Sequence, residues 1–162
     1  KMENYIIRKI NKEDNSEVAQ LIRAVFDELD IPKVGTAYED PYLDLMYEEY
    51  NKPKSVYYVV ENNGRIVGVA GIAPLANEAD SICELQKMYF LPETRGIGIG
   101  TEMMEVCIQS ARNFGFEKCY LETMPFMLDA QKLYKKTGFE YISGPMGSTG
   151  HVSCPVWMLK EL

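Results

Sequence analysis

Apolar and polar positions follow two periods along this chain, and the switches between them mark out its elements. Tyr5 to Ile10 is β-branched and aromatic enough for a strand. Asp14-Asn15-Ser16 then offers capping oxygens ahead of Val18, Leu21, Ile22, Val25 and Phe26, which recur at helical spacing to about Leu29. Asp40 followed by Pro41 reads as an N-cap and first helical residue, opening a second helix with Leu43, Met46, Tyr47 and Tyr50 on its apolar face. Ser55 to Glu61 and Ile66 to Ala73 read as strands around Asn62-Asn63-Gly64-Arg65, a turn whose Asn and Gly tolerate positive φ. Another strand runs from about Ile82 to Phe90 and stops at Pro92.

A glycine-rich segment, Arg95 to Gly100, leads into a helix with Met103, Cys107, Ala111 and Phe114 inward and Gly115 at its close. Lys118 to Thr123 is a short strand, and a last helix carries Ala130, Leu133 and Tyr134 and ends at Gly138. Phe139 to Ser143 and Val152 to Leu159 complete the strands. The order β-α-α-β-β-β-α-β-α-β-β predicts a mixed α/β (α+β) domain. Its central, mostly antiparallel sheet has about seven strands, flanked by about four helices, and only the strand-helix-strand crossover in the second half runs parallel. No linker or repeat divides residues 1–162, so a single domain is expected.

Composition narrows the function classes. Hydrophobic residues make up 46% and charged residues 25% of 162 positions, the balance of an ordinary folded domain. A net charge of -7 repels polyanions, which argues against nucleic acid as a partner. No apolar run approaches the roughly 18 residues that cross a bilayer, and the first residues lack a secretory pattern, so no membrane association and a cytoplasmic home are expected. Cys83, Cys107, Cys119 and Cys154 are scattered, with no C-x-x-C pair, and suggest free thiols rather than a metal site. Lys1 ahead of Met2 is set aside from the fold reading.

Gly96-Ile97-Gly98-Ile99-Gly100 at a helix amino terminus suits an anion, because glycines let backbone approach closely while unpaired N–H groups and the helix dipole attract negative charge. It fails the dinucleotide pattern, since Thr101 or Met103 falls where the third glycine belongs, and it fails the P-loop for want of a following Gly-Lys-Ser/Thr. On the glycines alone, a turn needed only for packing is an equal reading.

Three segments together go further. Glu84-Leu85-Gln86-Lys87-Met88-Tyr89-Phe90-Leu91-Pro92, Arg95-x-x-Gly98-x-Gly100 and Ala130-x-x-Leu133-Tyr134-Lys135-Lys136-Thr137-Gly138-Phe139 closely resemble, in order and spacing, the GNAT superfamily of acyl-CoA-dependent N-acetyltransferases. The resemblance implies a GNAT-like fold and acetyl-CoA as cosubstrate. It implies that Arg95, Gly96, Ile97, Gly98, Ile99, Gly100 and Thr101 wrap the CoA pyrophosphate with backbone N–H groups. Met88 and Phe90 would pair their backbone with the pantetheine arm where two strands splay, and Tyr134 would be the acid that protonates the departing thiolate. One position departs: Met127 stands where many relatives carry an asparagine that touches pantetheine. Lys132, Lys135 and Lys136 read more simply as a solvated helix face than as phosphate ligands.

The chemistry asks for a base. An alkyl amine with a pKa of about 10.4 is short of its neutral form at pH 7 by roughly 4.6 kcal/mol, which a general base offsets. Glu84 leads by its eleven-residue distance ahead of Arg95, as in some histone acetyltransferases of the superfamily, and Glu122 is the alternative carboxylate. A backbone N–H near Met88 would stabilise the oxyanion. His151, the only histidine, lies three residues before Cys154 in an expected strand, an odd separation that turns the two to opposite faces and speaks against a Cys-His nucleophile. Beside the loop from Gly144 to Gly150, His151 is placed to touch the acceptor or act as a second base, a surface histidine being the plain alternative. Tyr38, Glu39 and Asp40 precede the second helix and can reach the same side, which suggests a small primary amine as acceptor, including one with a second positive charge. A homodimer is left open, and a non-catalytic acyl-CoA sensor on the same fold is the competing function.

Overall fold

The computed structural model describes residues 4–162, so Lys1 lies outside it. Eleven principal elements follow in chain order: β1 Tyr5–Lys9, α1 Asn15–Glu28, α2 Met46–Tyr50, β2 Val56–Asn62, β3 Arg65–Pro74, β4 Ile82–Phe90, α3 Ile99–Asn113, β5 Lys118–Thr123, α4 Leu128–Lys136, β6 Glu140–Ile142 and β7 Val156–Glu161. The expected mixed sheet is present, with seven strands in the order β1-β2-β3-β4-β5-β7-β6. Only β4 and β5 are parallel neighbours. The β2–β3 hairpin turns through Asn63 and Gly64 at φ 52° and 79°, as the sequence suggests.

The sheet separates two cores. Val18, Ile22 and Phe26 of α1 pack with Met46 and Tyr50 of α2 against Tyr57 and Val59 on one face. Met103, Cys107 and Ala111 of α3 and Tyr134 of α4 pack against Val60, Leu85 and Leu121 on the other. No helix among the described residues is long and apolar enough to cross a membrane.

Three expectations are corrected. The second helix does not start at Asp40: a 3-10 turn spans Ala37–Glu39, Asp40 leaves it extended at ψ 127°, and α2 begins only at Met46. The Asp40 carboxylate bonds to side chains across the fold instead of capping a helix, although Leu43, Met46 and Tyr50 are buried as expected. The last strand begins at Val156 rather than Val152, because Val152 is 88% exposed and the chain from His151 to Cys154 forms a turn closed by a Cys154 N–H to His151 carbonyl bond. Asp14 does not cap α1 by its side chain; its carboxylate accepts from the Asn11 N–H at 2.7 Å and from Arg8, closing the turn before the helix.

The feature that positions the site is a defect in β4. Its pairing with β5 covers only Ile82–Glu84 against Lys118–Tyr120, and beyond Glu84 the two strands part. On its other edge the register with β3 slips: Val69 pairs Tyr89 and Gly71 pairs Gln86, so Lys87 and Met88 together oppose Ala70. Lys87 sits at φ 47°, in the left-handed region that a side chain disfavours, and the Tyr57 hydroxyl donates to its carbonyl at 2.7 Å. A bulge of this kind bends its strand and re-aims the side chains that follow. Here it opens a gap in the middle of the sheet.

Candidate active site

The glycine segment forms one wall of an open channel of about 580 Å³. Gly96 and Gly98 adopt φ 82° and 86°, and Gly98 is the residue from which α3 starts, so the unpaired N–H groups of the first turn face outward at the loop. A Cβ on either glycine would meet nothing within 4 Å; what demands glycine there is the dihedral, and what the absent side chains leave is room for a bulky anion. Gly100 differs, since a Cβ there would press on Leu133 at 3.1 Å. Of the residues assigned to this loop, Arg95, Gly96, Gly98 and Gly100 line the channel. Ile99 is fully buried in the core, which leaves it only its backbone for such a role, and Ile97, 40% exposed, and Thr101 do not line the channel. The Arg95 guanidinium is occupied: it donates to both Glu28 oxygens at 2.7 and 2.8 Å and to the Phe90 carbonyl at 2.7 Å, tying α1 to the end of β4.

Met88 and Phe90 line the same channel, as does Met127 on the opposite wall. Beyond the gap lies a second, smaller cavity of about 80 Å³ on the α1–α2 face. Met88, Tyr89, Met127 and Tyr134 line both spaces, so the two communicate through the parted strands. The Tyr134 side chain is buried at that junction, its hydroxyl makes no hydrogen bond among the described residues, and burial pushes its pKa up to about 12. It stays protonated at neutral pH.

Glu84 faces the small cavity from the last paired position of β4. Because Glu84 is opposite Tyr120 and side chains alternate, Glu84, Gln86, Tyr120 and Glu122 share one face of the sheet. Tyr50 donates to the Gln86 amide oxygen at 2.5 Å, which fixes that amide so that its NH₂ donates to Glu84 at 2.7 Å. Burial is the main influence on Glu84, partly opposed by the Gln86 bond and reinforced by the Glu122 charge, and raises its pKa to about 7. A carboxyl poised near neutrality accepts and returns protons readily.

The bulge turns Lys87 inward, where its side chain is 2% exposed. Its ammonium pairs with Asp40 at 2.5 Å, donates to Tyr42 at 3.1 Å and lies over the Tyr42 ring. Burial works against the charged form, but Asp40 and Tyr42 outweigh it and hold the pKa above its ordinary value. His151 brings Nε2 to 3.0 and 3.2 Å from the two Asp40 oxygens, completing a Lys87–Asp40–His151 chain along the cavity. Glu122 accepts from Tyr120 and from Thr149, each at 2.6 Å. The loop that carries Thr149 is pinned by Ser148 to Ala76 and Met146 to the Tyr120 hydroxyl.

The structure thus brings Glu84, Tyr134 and His151 to one passage and places the other acceptor candidates elsewhere. Tyr38 packs on Phe26 with its ring under Lys33, and the Glu39 carboxylate accepts from the Gly35 N–H at 2.8 Å; neither lines either cavity. From that segment it is Asp40 that reaches the cavity wall, through His151 and Lys87. His151 and Cys154 lie in a turn and line the same cavity, so the opposite-face argument does not hold; the histidine is nevertheless directed at Asp40, and burial holds the Cys154 thiol up near about 11. Gln86, Lys87 and Thr149 carry no sequence signal of their own: a lysine in a strand reads as solvated until a bulge turns it. Lys135 is engaged with Glu140 at 2.7 Å, in keeping with a surface role. No group of residues among those described could hold a metal ion.

Comparison with known proteins bears on the family and the fold. The profile of the acetyltransferase (GNAT) family matches residues 22–139. The uncharacterized N-acetyltransferase YjgM of Escherichia coli (strain K12) is 44% identical over 158 residues, which span 97% of this chain and 95% of that protein. Among solved structures, an acetyltransferase of the GNAT family from Staphylococcus aureus Mu50 superposes with a TM-score of 0.85 at 22% identity, covering 98% of this chain and 99% of its own. PaiA N-acetyltransferase from Thermoplasma acidophilum, solved in complex with coenzyme A, superposes with a TM-score of 0.76 at 17% identity, covering 99% of this chain and 100% of its own.

Proposed function

This chain belongs to the acetyltransferase (GNAT) family, and we propose that it transfers an acetyl group from acetyl-CoA directly to the amine of a small-molecule acceptor. The observation that carries this reading is the passage through the sheet: an open channel with a glycine loop at a helix amino terminus on one side, a small cavity holding two carboxyl groups on the other, and Tyr134 lining both. Coenzyme A fits the channel by the chemistry of its wall. The left-handed glycines and the α3 amino terminus suit its phosphates, and the apolar Met88, Phe90 and Leu133 suit its pantetheine arm. Bound acetyl-CoA supplies an acetyl group activated as a thioester, and transfer makes one C–N bond and breaks one C–S bond.

The chain's own residues manage the protons. An acceptor that arrives as an ammonium first gives one proton to solvent. Glu84, ionised above about pH 7, takes the proton that the nitrogen sheds as the amide forms. Tyr134, protonated at that pH, gives its proton to the sulfur, so the leaving group departs as a thiol. Return of the Glu84 proton to Tyr134 through solvent restores both groups, leaving no net change in the protein. A non-catalytic acyl-CoA sensor has no use for a desolvated carboxyl and a free phenol brought to one passage. The four free cysteines suit a reducing compartment, which supports the cytoplasm as its home.

The test is release of free thiol from acetyl-CoA across a panel of amines, with mass spectrometry of the products. Amine-dependent thiol release with an N-acetylated product is expected; acetyl-CoA binding with no product from any amine would favour the sensor.

A further inference from the structure

The charges that line the small cavity are unbalanced in one direction. Two carboxylates, Glu84 and Glu122, face it from neighbouring strands. Each is fixed by neutral donors only: Glu84 by the Gln86 amide, Glu122 by the Tyr120 and Thr149 hydroxyls. Neither forms an ion pair with a lysine, arginine or histidine among the described residues. The lysine in this wall is already neutralised, since Lys87 is bonded to Asp40 and almost wholly withdrawn. His151 turns its Nε2 to that same aspartate, and no arginine lines the cavity. A ligand entering here therefore meets two carboxyl groups, Glu84 about half ionised at pH 7, and no basic side chain that is not already bonded to Asp40. A second observation also points to a ligand at this place: the Tyr134 hydroxyl, in a residue only 8% exposed, faces the cavity without a partner among the described residues.

We infer that the acceptor is a short aliphatic diamine, whose distal ammonium Glu122 anchors while its reacting nitrogen lies at Glu84. This deepens the reading above and rests on it. A fixed but uncompensated carboxylate in a partly desolvated cavity is costly alone and becomes favourable when a cation arrives to hydrogen-bond it. The same wall rejects an acceptor carboxylate, which would face Glu84 and Glu122 with no cation to receive it.

Three amines of equal chain length separate the possibilities: 1,3-diaminopropane with a cationic tail, propylamine with an apolar tail, and β-alanine with an anionic one. Expected is a kcat/KM for the diamine at least about tenfold above propylamine, with β-alanine last, and a diamine advantage that shrinks as salt rises. Glu122→Gln collapses the diamine-to-propylamine ratio toward one. Thr149→Val loosens the same loop but keeps the carboxylate charge, so it retains the preference and separates charge from loop architecture. Calorimetry of the diamine against protein saturated with CoA reads the same preference without turnover. Diamine binding without acetylation would strike the catalytic reading and spare this one. Equal kcat/KM for the three amines, a preference for β-alanine, or a Glu122→Gln loss shared equally by all three would overturn it.

Discussion

The channel and the small cavity meet at Tyr134, yet they are built on opposite principles. The channel's proposed anion site is made of backbone from one continuous segment, Arg95 to Thr101: two left-handed glycines and the start of a helix. The cavity wall is made of side chains from distant segments, Glu84 to Lys87 from β4, Glu122 from β5 and His151 from the loop before β7, held by Asp40, Tyr50 and Thr149 behind them. A backbone site depends on dihedrals and on keeping space empty, so it binds the common part of a shared cosubstrate. A side-chain site depends on which charges meet, so it is where one acceptor is told from another. Substitutions on the two sides should therefore fail differently.

The largest effect belongs to the backbone side. Gly98→Glu abolishes acetyl-CoA binding, because its carboxylate occupies the open space beside Gly98 and opposes phosphate, while the left-handed dihedral adds roughly 1–2 kcal/mol of strain. Calorimetric titration of the folded variant checks it. Unchanged affinity would reduce the loop to a packing turn and erase the contrast.

At the junction, Tyr134→Phe keeps the ring and its packing on Phe139 and removes only the hydroxyl. Turnover falls by about 10²–10⁴-fold while the acetyl-CoA dissociation constant changes little, since the proton is needed only as charge develops on sulfur. Equal losses in binding and turnover would move Tyr134 to the channel's wall and out of the chemistry.

On the side-chain side, Glu84→Gln separates activity from stability. At pH 7 turnover falls by about 10²-fold, and the deficit narrows as pH rises and free amine becomes plentiful. Stability moves the other way. The folded pKa of about 7 lies above the ordinary 4.5, so the folded state holds this proton more tightly, and wild-type stability falls as pH rises from 4.5 to about 7. Above that window the variant avoids a buried carboxylate and gains up to about 3 kcal/mol; below 4.5 the gain vanishes. Chemical denaturation at pH 4 and pH 8 reads both limits. A stability gain over wild type no larger at pH 8 than at pH 4 would mean that the wild-type carboxyl is not desolvated.

The same division governs how much of the molecule can be read before it is folded. The sheet, its single parallel crossover and the glycine loop are legible because local rules set them: alternation, helical spacing, and glycines whose dihedrals only glycine accepts. The cavity wall is not, because one bulge breaks the alternation that sequence reasoning relies on. Glu84 and Gln86 keep the phase of β4, but Lys87 turns inward at φ 47° and no propensity announces it. Asp40 before Pro41 has the local signature of a helix cap, and its carboxylate is taken instead by Lys87 and His151, 47 and 111 residues away. Glu39, beside it, has the same charge and is spent on a turn. Tertiary partners decide between such neighbours, and those partners exist only once the chain has folded.

The smallest effect tests how finely the wall is tuned. Tyr50 fixes the Gln86 amide, and Gln86 donates to Glu84, a bond that favours the ionised carboxylate and so holds its pKa below what burial alone would set. Gln86→Leu removes the donor and leaves the burial of Glu84 and its other neighbours in place. At a typical hydrogen-bond contribution of about 1 kcal/mol, the acid limb of the pH–kcat/KM profile moves up by somewhat under about one unit. Activity at pH 7 then falls only severalfold and recovers at pH 9. Tyr50→Phe, which frees the amide to rotate without deleting it, shifts the limb in the same direction by less. A Gln86→Leu variant that loses activity equally at every pH would make Gln86 a packing residue, and the side-chain wall would then be no more finely adjusted than the loop it faces.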